Sequence, residues 1–255
     1  MSVDHAALTA LLLGEDDAAA LSSRWVEVAD AVPELGALAM DQGARRLHKD
    51  NVAHTIAVVA KMPNRERLRL TALFHDIGKP PTRRIERGQV TFHGHERVGA
   101  ALTRTVMARL GYGDTVTCEV ATLVELSGDT KGSEVWSDAA VRRFVAHAGP
   151  LMEDLLVFAE LDVTSRHAYK HREVSRQITA LRRRIAEVAE LDAERARRPV
   201  VDGRAVMERY GLEPGPRVGE LLRTVLEAQT TRDLDEVEAW ELLDPLAALT
   251  GAQTH

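Results

Sequence analysis

An adjacent histidine and aspartate stand at the end of an apolar stretch of this chain, in His75-Asp76-Ile77-Gly78-Lys79-Pro80. Apolar residues precede and accompany them at the i, i+3, i+4, i+7 spacing of a buried helix face, at Leu70, Leu73, Phe74 and Ile77. We expect this helix to stop at Gly78, because Pro80 cannot continue it. A buried imidazole and carboxylate need partners, since an unpaired buried charge is costly. A divalent cation satisfies both groups, so His75 and Asp76 are predicted to bind a metal ion.

Two further polar residues lie among apolar residues with helical periodicity. His54 stands in the segment 52–60, which is apolar nearly all round and is therefore expected to be buried. At 100° per residue, Asp162 falls between Leu155 and Phe158 on a helix stripe, where a carboxylate needs a cation or an arginine. The predicted metal ligands are thus His54, His75, Asp76 and Asp162. Imidazole with carboxylate suits Zn, Fe, Mn or Ni, and carboxylate with water suits Mg, so a divalent ion is predicted without its identity.

Other polar residues flank the predicted helix end. His93 and His95 follow a predicted tight hairpin around Arg87-Gly88. We interpret His95 as either a ligand or a substrate contact, and His93 as an exposed loop residue. Lys79 and Arg83 are candidates for contacting a phosphate, the alternative being that they cap the carbonyl end of the helix. Each predicted ligand also has a structural alternative. His75 and Asp76 would be a helix-capping pair, His54 a core histidine bonded to backbone, and Asp162 the partner of an arginine in an ion pair.

The order of these residues along the chain resembles that of the HD superfamily of metal-dependent phosphohydrolases. More narrowly, the chain is similar to the C-terminal, HD-containing part of bacterial CCA-adding tRNA nucleotidyltransferases. The resemblance spans roughly residues 25–245. The stretches that carry it are 48–55, 73–80 with Thr82-Arg83, 92–96 with Val98-Gly99, 141–144, 162–166, Asp202-Gly203 and 214–219.

Two departures from the resembled family change the expectation. The nucleotidyltransferase head needs a Gly-Ser turn followed by paired carboxylates on a strand, and nothing before His48 offers these, so we expect no CCA addition by this chain alone. His48 itself is interpreted as structural. Relatives with two metals carry a further histidine after a Leu-Val-Glu-Leu-like helix, where this chain has Ser127. A single metal site is therefore favoured over two.

The resemblance implies hydrolysis of a phosphomonoester or phosphodiester, with a nucleotide or a 2′,3′-cyclic phosphate as substrate. A divalent metal supplies an activated water and polarises a phosphoryl oxygen. In this scheme Asp76 and Asp162 anchor the metal, Lys79 and Arg83 neutralise phosphate charge, and His95 assists proton transfer. The alternative is an RNA-interacting or partner-binding module with little catalysis. A weaker alternative is an iron oxygenase, against which the missing histidine argues.

Composition restricts the class of protein and the cellular location that we expect. The chain has 255 residues, 45% hydrophobic and 28% charged, as in a soluble globular protein. Cys118 is its single cysteine, which excludes an internal disulfide and a Cys-based zinc site and favours a reducing, cytoplasmic location without a disulfide-linked partner. The N terminus lacks a signal-peptide pattern, and no apolar run approaches about 20 residues, so no membrane span is expected.

Charge limits the expected contact with nucleic acid. The net charge of −6 argues against a general nucleic-acid binder. The arginine-rich segment 172–198 is interpreted as a solvated helix face interleaved with glutamates, the alternative being a phosphate-backbone contact. Beside a small phosphorylated substrate, only a weak RNA or tRNA contact is therefore expected.

Helical periodicity dominates the whole sequence, which predicts an all-α HD-type core over residues 1–198 and a small C-terminal helical unit over 199–255. A single β-hairpin is predicted from residues 84–86 and 90–92. Predicted helices cover 4–22, 22–31, 35–46, 51–62, 64–77, 95–110, 114–126, 137–147, 149–165, 170–192, 203–210, 216–229 and 233–247.

Overall fold

Helices make up nearly all of the regular structure in the computed structural model, which describes residues 4–14, 18–39, 50–87, 89–196, 198–232 and 234–248. The predicted all-α class is confirmed. The chain divides into two compact units, Met1–Ile185 and Ala186–His255. The boundary predicted between residues 198 and 199 remains a prediction. Among the described residues, no helix combines the length and apolar character that a membrane span requires.

The first unit is built almost entirely from helices in its described residues. In chain order they are α1 (His5–Gly14), α2 (Ala18–Ser23), α3 (Trp25–Ala31), α4 (Pro33–Gly36), α5 (Asn51–Lys61), α6 (Glu66–Phe74), α7 (Lys79–Thr82), α8 (His95–Leu110), α9 (Asp114–Leu126), α10 (Asp138–Ala148), α11 (Met152–Leu161) and α12 (Ala168–Ala196). Short 3₁₀ turns cover Ala37–Ala39, Ser133–Val135 and Gly149–Leu151. The last of these helices, α12, continues into the second unit.

The hairpin between α7 and α8 confirms the predicted β structure, with a slightly different second strand. Strand β1 (Arg84–Glu86) pairs antiparallel with β2 (Gln89–Thr91), and Ile85 lies opposite Val90. Arg87, in the connection, has φ 49°, a left-handed conformation common in tight turns. Because β1 follows α7 directly, the hairpin begins close to the end of the His75–Gly78 turn.

Helix α6 lies at the centre of the first unit. Every residue from Leu68 to Phe74 is buried, including Arg69, which is 1% exposed. Arg69 donates hydrogen bonds to the backbone carbonyls of Leu12 and Met62, so it ties α1 and the end of α5 to α6. A helix buried on all sides delivers the residues that follow it into the protein interior. This is why His75 and Asp76 are 3% and 2% exposed.

The second unit has a hydrophobic core of its own. It contains α13 (Gly203–Tyr210), α14 (Pro216–Thr231) and α15 (Glu236–Ala248). These helices pack through a cluster of buried aliphatic side chains that includes Val206, Leu221, Val225 and Leu243. Asp202 begins α13 by accepting a hydrogen bond from the Ala205 amide, as an N-cap aspartate does.

Several predicted boundaries differ from the structure. The helix predicted over 64–77 ends at Phe74, and Gly78 precedes a new single-turn helix, α7, whose first turn contains Pro80. A proline is tolerated there because the first-turn amide would be unpaired in any case. The helix predicted over 149–165 ends at Leu161, so Asp162 lies one residue beyond it. The predicted helix 4–22 is found as α1 and α2. Only the beginning of the predicted 35–46 helix is described, and His48 lies outside the described residues.

Candidate metal centre

His54 projects from the first turn of α5, and the start of that helix is fixed by a side-chain cap. The carboxylate of Asp50 accepts hydrogen bonds from the amides of Val52 and Ala53. The His54 Nδ1 atom lies 2.8 Å from the Thr164 hydroxyl, on the segment after α11. This contact leaves the His54 Nε2 atom directed at the other candidate ligands.

His75 and Asp76 stand in the turn that ends α6. The His75 amide continues the helical pattern by donating to the Thr71 carbonyl at 2.8 Å. The ring Nδ1–H donates to the Ala72 carbonyl at 2.8 Å, because a carbonyl can only accept. The Nε2 atom of neutral His75 therefore carries a lone pair, and it lies 3.2 Å from the Nε2 atom of His54.

Two carboxylates complete this group of side chains. The Asp76 Oδ2 atom is 3.3 Å from His75 Nε2 and 3.8 Å from His54 Nε2. The Asp162 Oδ1 atom is 3.1 Å from His54 Nε2 and 3.7 Å from His75 Nε2. This Asp162 oxygen is buried and has no hydrogen-bond partner. A buried carboxylate oxygen without a partner is costly, so its position calls for a cation.

The spacing of these atoms fits one shared divalent ion. Two ligand atoms about 2.1 Å from an ion, at tetrahedral or octahedral angles, lie roughly 3.0–3.4 Å apart. The distances of 3.1, 3.2 and 3.3 Å among Asp162, His54, His75 and Asp76 lie in this range. The other two distances, 3.7 and 3.8 Å, correspond to wider angles at the ion. Among the described residues, His54, His75 and Asp76 form a cluster of potential metal ligands. One ligand atom from each of the three lies within 4.8 Å of the other two. The donor set of the four predicted ligands therefore fits a metal ion, although their role remains a prediction.

The electrostatics show how strongly negative this group is. Burial opposes charge on His75, but Asp76 and Asp162 outweigh it and raise the pKa of His75 to about 9. Burial also disfavours the charged form of Asp76, yet His75 and Lys79 hold its pKa well below the usual range. The pKa of Asp162 is lowered by His75 and His54 despite its burial. Without an ion, a protonated histidine thus partly balances two ionised carboxylates.

Lys79 and Arg83 lie beyond the turn, as predicted from their positions in the chain. The Lys79 ammonium donates to Asp76 Oδ2 at 2.5 Å, and it also lies 5.8 Å from the centre of the Phe92 ring. Arg83 follows α7, and its buried Nε atom has no hydrogen-bond partner. These two cations therefore differ, since Lys79 is engaged by a candidate ligand whereas the buried Nε–H of Arg83 is left without an acceptor.

His95 begins α8 and faces the other oxygen of Asp76. Its Nε2 atom lies 3.7 Å from Asp76 Oδ1, while its Nδ1–H donates to the Phe92 carbonyl at 2.9 Å. Burial lowers the pKa of His95, which favours the neutral ring with a free lone pair on Nε2. His93 is not part of this group. Its side chain is 81% exposed, and its nearest acidic partner is Glu86 at 3.7 Å.

Ser127 forms a local contact at the end of α9. Its hydroxyl donates to the Val124 carbonyl at 2.8 Å, one turn back in the same helix. It offers no imidazole to a second ion, as the sequence already indicated. The next residue, Gly128, packs against Glu96, since a Cβ there would lie 2.8 Å from the Glu96 Oε1 atom.

Two glycines bring the ligand turn and α8 together, a feature that the sequence analysis missed. A Cβ on Gly78 would lie 2.1 Å from the His95 carbonyl oxygen and 2.6 Å from the Gly99 amide nitrogen. Gly78 has φ −82°, so close approach rather than a left-handed conformation requires glycine here. The only sequence signal was the presence of glycine at both positions. Thr164 was likewise missed, because nothing local distinguishes its hydroxyl from an exposed one.

Comparison with known protein families places this geometry in context. The family model of the HD domain matches residues 48–240, which is more than half of the chain and includes all four predicted ligands. The chain belongs to the HD domain family. Within it, the chain is similar to the A-adding tRNA nucleotidyltransferase of Deinococcus radiodurans, at 37% identity over 166 residues, covering 64% of this chain and 37% of that protein. It is also similar to the CC-adding tRNA nucleotidyltransferase of Thermus thermophilus, at 37% identity over 163 residues, covering 63% of this chain and 35% of that protein. This HD domain protein thus spans little more than a third of the length of the curated relatives that it matches.

Proposed function

We propose that this HD domain protein is a metal-dependent phosphohydrolase that acts on a phosphomonoester or phosphodiester, with a nucleotide or a 2′,3′-cyclic phosphate as substrate. The observation that carries the proposal is the convergence of His54 Nε2, His75 Nε2 and the Asp162 Oδ1 atom within 3.7 Å of one another, next to Asp76. HD domains bind divalent metals, and the unpartnered Asp162 oxygen supports one here.

A divalent ion held by these residues supplies an activated water and a Lewis acid for a phosphoryl oxygen. The protein residues have separate tasks around it. Thr164 and the Ala72 carbonyl orient the two imidazoles through their Nδ1 atoms, which leaves both Nε2 atoms for binding. His95 is proposed to accept a proton at Nε2, because burial lowers its pKa and so favours the neutral ring. Arg83 and Lys79 are proposed to bind the phosphate oxygens of the substrate.

The proposal is tested by measuring hydrolysis together with metal content. Purified protein loaded with Mn or Ni is assayed on 2′,3′-cyclic nucleotides, nucleoside monophosphates and a chromogenic phosphodiester. Wild type is expected to hydrolyse at least one class, whereas His75→Ala and Asp76→Ala lose metal and activity together, since each removes a direct ligand. His147→Ala, at an exposed histidine of α10, is the matched control and retains both. Equal rates in wild type and both ligand variants would assign the activity to another site or a contaminant.

A second function is favoured by the relatives. Both are tRNA nucleotidyltransferases, so we also propose that this chain contacts RNA. This function does not require turnover. It is tested by binding labelled RNA to the Asp76→Ala variant, which is expected to retain RNA affinity after losing hydrolysis.

A further inference from the structure

The N-terminal half of α12 and the loop before it concentrate positive charge in a chain with a net charge of −6. Between Arg166 and Ile185 the one acidic residue is Glu173. The same stretch has seven basic residues: Arg166, Lys170, Arg172, Arg176, Arg182, Arg183 and Arg184. An imbalance of this size on one element indicates an electrostatic role beyond keeping a helix soluble.

Part of this charge is neutralised within the protein. Arg182 pairs with Glu153, and Arg184 pairs with Asp138. Within the described ranges, no salt bridge involves the exposed side chains of Arg166, Lys170, Arg172 and Arg176. Four uncompensated cations therefore remain near the start of α12.

Two of these cations, Arg172 and Arg176, share a helix face with an exposed aromatic ring. Tyr169, Arg172 and Arg176 follow one another at spacings of three and four residues, which places them on the same side of α12. Arg172 and Arg176 are about 6 Å apart along the axis at 1.5 Å per residue. Tyr169 is 54% exposed, and its ring lies 5.6 Å from that of His167. An open depression of about 530 Å³ follows this face, lined by Arg172, Ser175, Arg176, Thr179, Ala180 and Arg183.

Hydrogen bonds fix this face beside the segment that carries Asp162 and Thr164. The His171 Nε2–H donates to the Ser165 carbonyl at 2.7 Å. The Ser175 hydroxyl donates to Glu160 on α11 at 2.6 Å. The first two turns of α12 are therefore held against the end of α11 and the loop that follows it, so the basic residues form a defined surface.

We propose that this α12 basic face, formed by Arg172 and Arg176 with Tyr169, together with Arg166 in the preceding loop and Lys170 in the first turn, binds the phosphodiester backbone of a single-stranded nucleic acid. The inference deepens the second proposed function and rests on it. Guanidinium groups suit phosphate oxygens, and an exposed tyrosine offers a stacking surface for an unpaired base. The tyrosine favours a single strand over a duplex, whose bases are already stacked, and over an acidic protein, which has no base to stack.

The number of uncompensated cations sets the expected salt dependence. For single strands, each neutralised phosphate contributes about −0.7 to the slope of log affinity against log salt. Four contacts give a slope of about −2.8, which is roughly a fifty-fold loss of affinity between about 50 and 200 mM salt. Binding at physiological salt is expected in the micromolar range or weaker, consistent with the net negative charge of the rest of the chain.

The test uses the full chain and a fluorescently labelled, unstructured single-stranded RNA. Arg172→Glu/Arg176→Glu is expected to bind at least about tenfold more weakly and to lose about half of the salt slope. The matched control, Arg204→Glu/Arg223→Glu, makes the same charge change at exposed positions of α13 and α14 and is expected to retain binding. The milder Arg172→Gln/Arg176→Gln pair should show a smaller loss in the same direction, which separates lost contacts from misfolding. Tyr169→Ala should weaken binding without changing the salt slope, because stacking releases no counterions.

The outcomes separate this surface from the function on which it rests. Comparable binding of single-stranded DNA of the same sequence supports recognition by backbone and stacking. If Arg172→Glu/Arg176→Glu binds RNA as tightly as wild type, or if the control variant loses as much affinity, the proposed surface is wrong, but the proposal that this chain contacts RNA is not affected. Absence of RNA binding by wild type at low salt overturns both. Displacement of RNA by polyglutamate as effectively as by unlabelled RNA would indicate a general polyanion or acidic-protein surface and overturn the assignment to nucleic acid.

Discussion

The Nε2 atoms of His54 and His75 face each other at 3.2 Å, while the Nδ1 atom of each ring is engaged by a different partner. The His75 Nδ1–H is committed to a backbone carbonyl, and the Thr164 hydroxyl lies beside the Nδ1 atom of His54. Two neutral rings held in this way, each with its hydrogen on Nδ1, would direct two lone pairs at each other. A cation between them removes that repulsion, either a bound metal ion or the proton that the raised pKa of His75 favours when no ion is bound. This relationship makes the orienting groups testable.

The first prediction concerns the Thr164 hydroxyl. Thr164→Val keeps the shape of the side chain but removes the partner of His54 Nδ1, so the His54 ring should be less well oriented. Groups that orient ligands typically change metal affinity by about 10- to 100-fold, and we expect a loss in that range. Calorimetric titration with Mn or Ni measures it. Thr105→Val is the control, since the Thr105 hydroxyl bonds only the carbonyl one turn back in α8. Unchanged affinity in Thr164→Val would show that His54 needs no such orientation.

The second prediction is the number of ions bound. The chain should bind about one divalent ion, because the described cluster of potential ligands is centred on His54, His75 and Asp76, and Ser127 offers no second imidazole. Elemental analysis after loading with excess Mn or Ni gives the ratio directly. Two fully occupied ions bridged by Asp76 would contradict the single site, and no bound ion under these conditions would remove the metalloenzyme interpretation.

The third prediction concerns Gly78. A methyl group there would collide with the His95 carbonyl and the Gly99 amide, both backbone atoms that cannot rotate away. Gly78→Ala is expected to lower the free energy of unfolding by at least about 2 kcal/mol and to weaken metal binding, because the Asp76 turn must move away from α8. Urea denaturation and metal titration measure the two effects. Gly36→Ala, where a Cβ meets nothing within 4 Å, should leave both unchanged.

These residues show what could and could not be predicted from the sequence. His54, His75, Asp76 and Asp162 are predicted as ligands because a polar side chain within an apolar periodic pattern is a local anomaly that a sequence displays, and the structure brings these side chains together. Thr164 lies 110 residues from His54 in the chain, and its contribution depends on a contact that no local pattern encodes. The role of Gly78 depends likewise on the packing of the His75–Gly78 turn against α8.

The predicted locations of the helices agree with the structure better than their predicted end residues do. The pattern of α6 extends to Ile77, yet the helix stops at Phe74 and the chain turns through the ligand residues. Asp162 follows the periodicity of α11 but lies just past its end, with ψ 38°. In both places the helix ends where candidate ligands converge. Apolar periodicity predicts which residues are buried, but it does not predict where the helix ends.

The fourth prediction concerns a buried carboxylate that ties α6 to α11. Asp154 is 5% exposed and accepts hydrogen bonds from Arg67 at 2.6 Å, with Arg65 at 2.8 Å. Asp154→Asn removes the buried charge that both arginines share, while Arg67 keeps its ion pair with Glu119 at 2.7 Å. Breaking a buried pair costs about 3 kcal/mol at the lower end of the usual range. That end applies because both arginines still reach solvent. Urea denaturation should show this loss with an unchanged m value. Asp138→Asn, in a more exposed pair with Arg184, should cost about 1 kcal/mol or less. Equal costs for the two variants would contradict the importance of burial at Asp154.

The last prediction separates the two effects of Lys79. Its ammonium donates to Asp76 Oδ2, the oxygen that also lies 3.3 Å from His75 Nε2, so it occupies the place of a cation beside a proposed ligand. Removing it in Lys79→Ala relieves repulsion toward a divalent ion and frees the carboxylate. We therefore expect metal affinity to rise, by roughly tenfold if about 1.4 kcal/mol of repulsion is relieved. If Lys79 also binds substrate phosphate, as proposed, kcat/KM should fall in the same variant although more metal is bound. Lys131→Ala, at an exposed lysine, is the control and should change neither quantity. A parallel fall of metal affinity and activity in Lys79→Ala would show instead that Lys79 only holds Asp76 in place, since a purely positioning role loses both together.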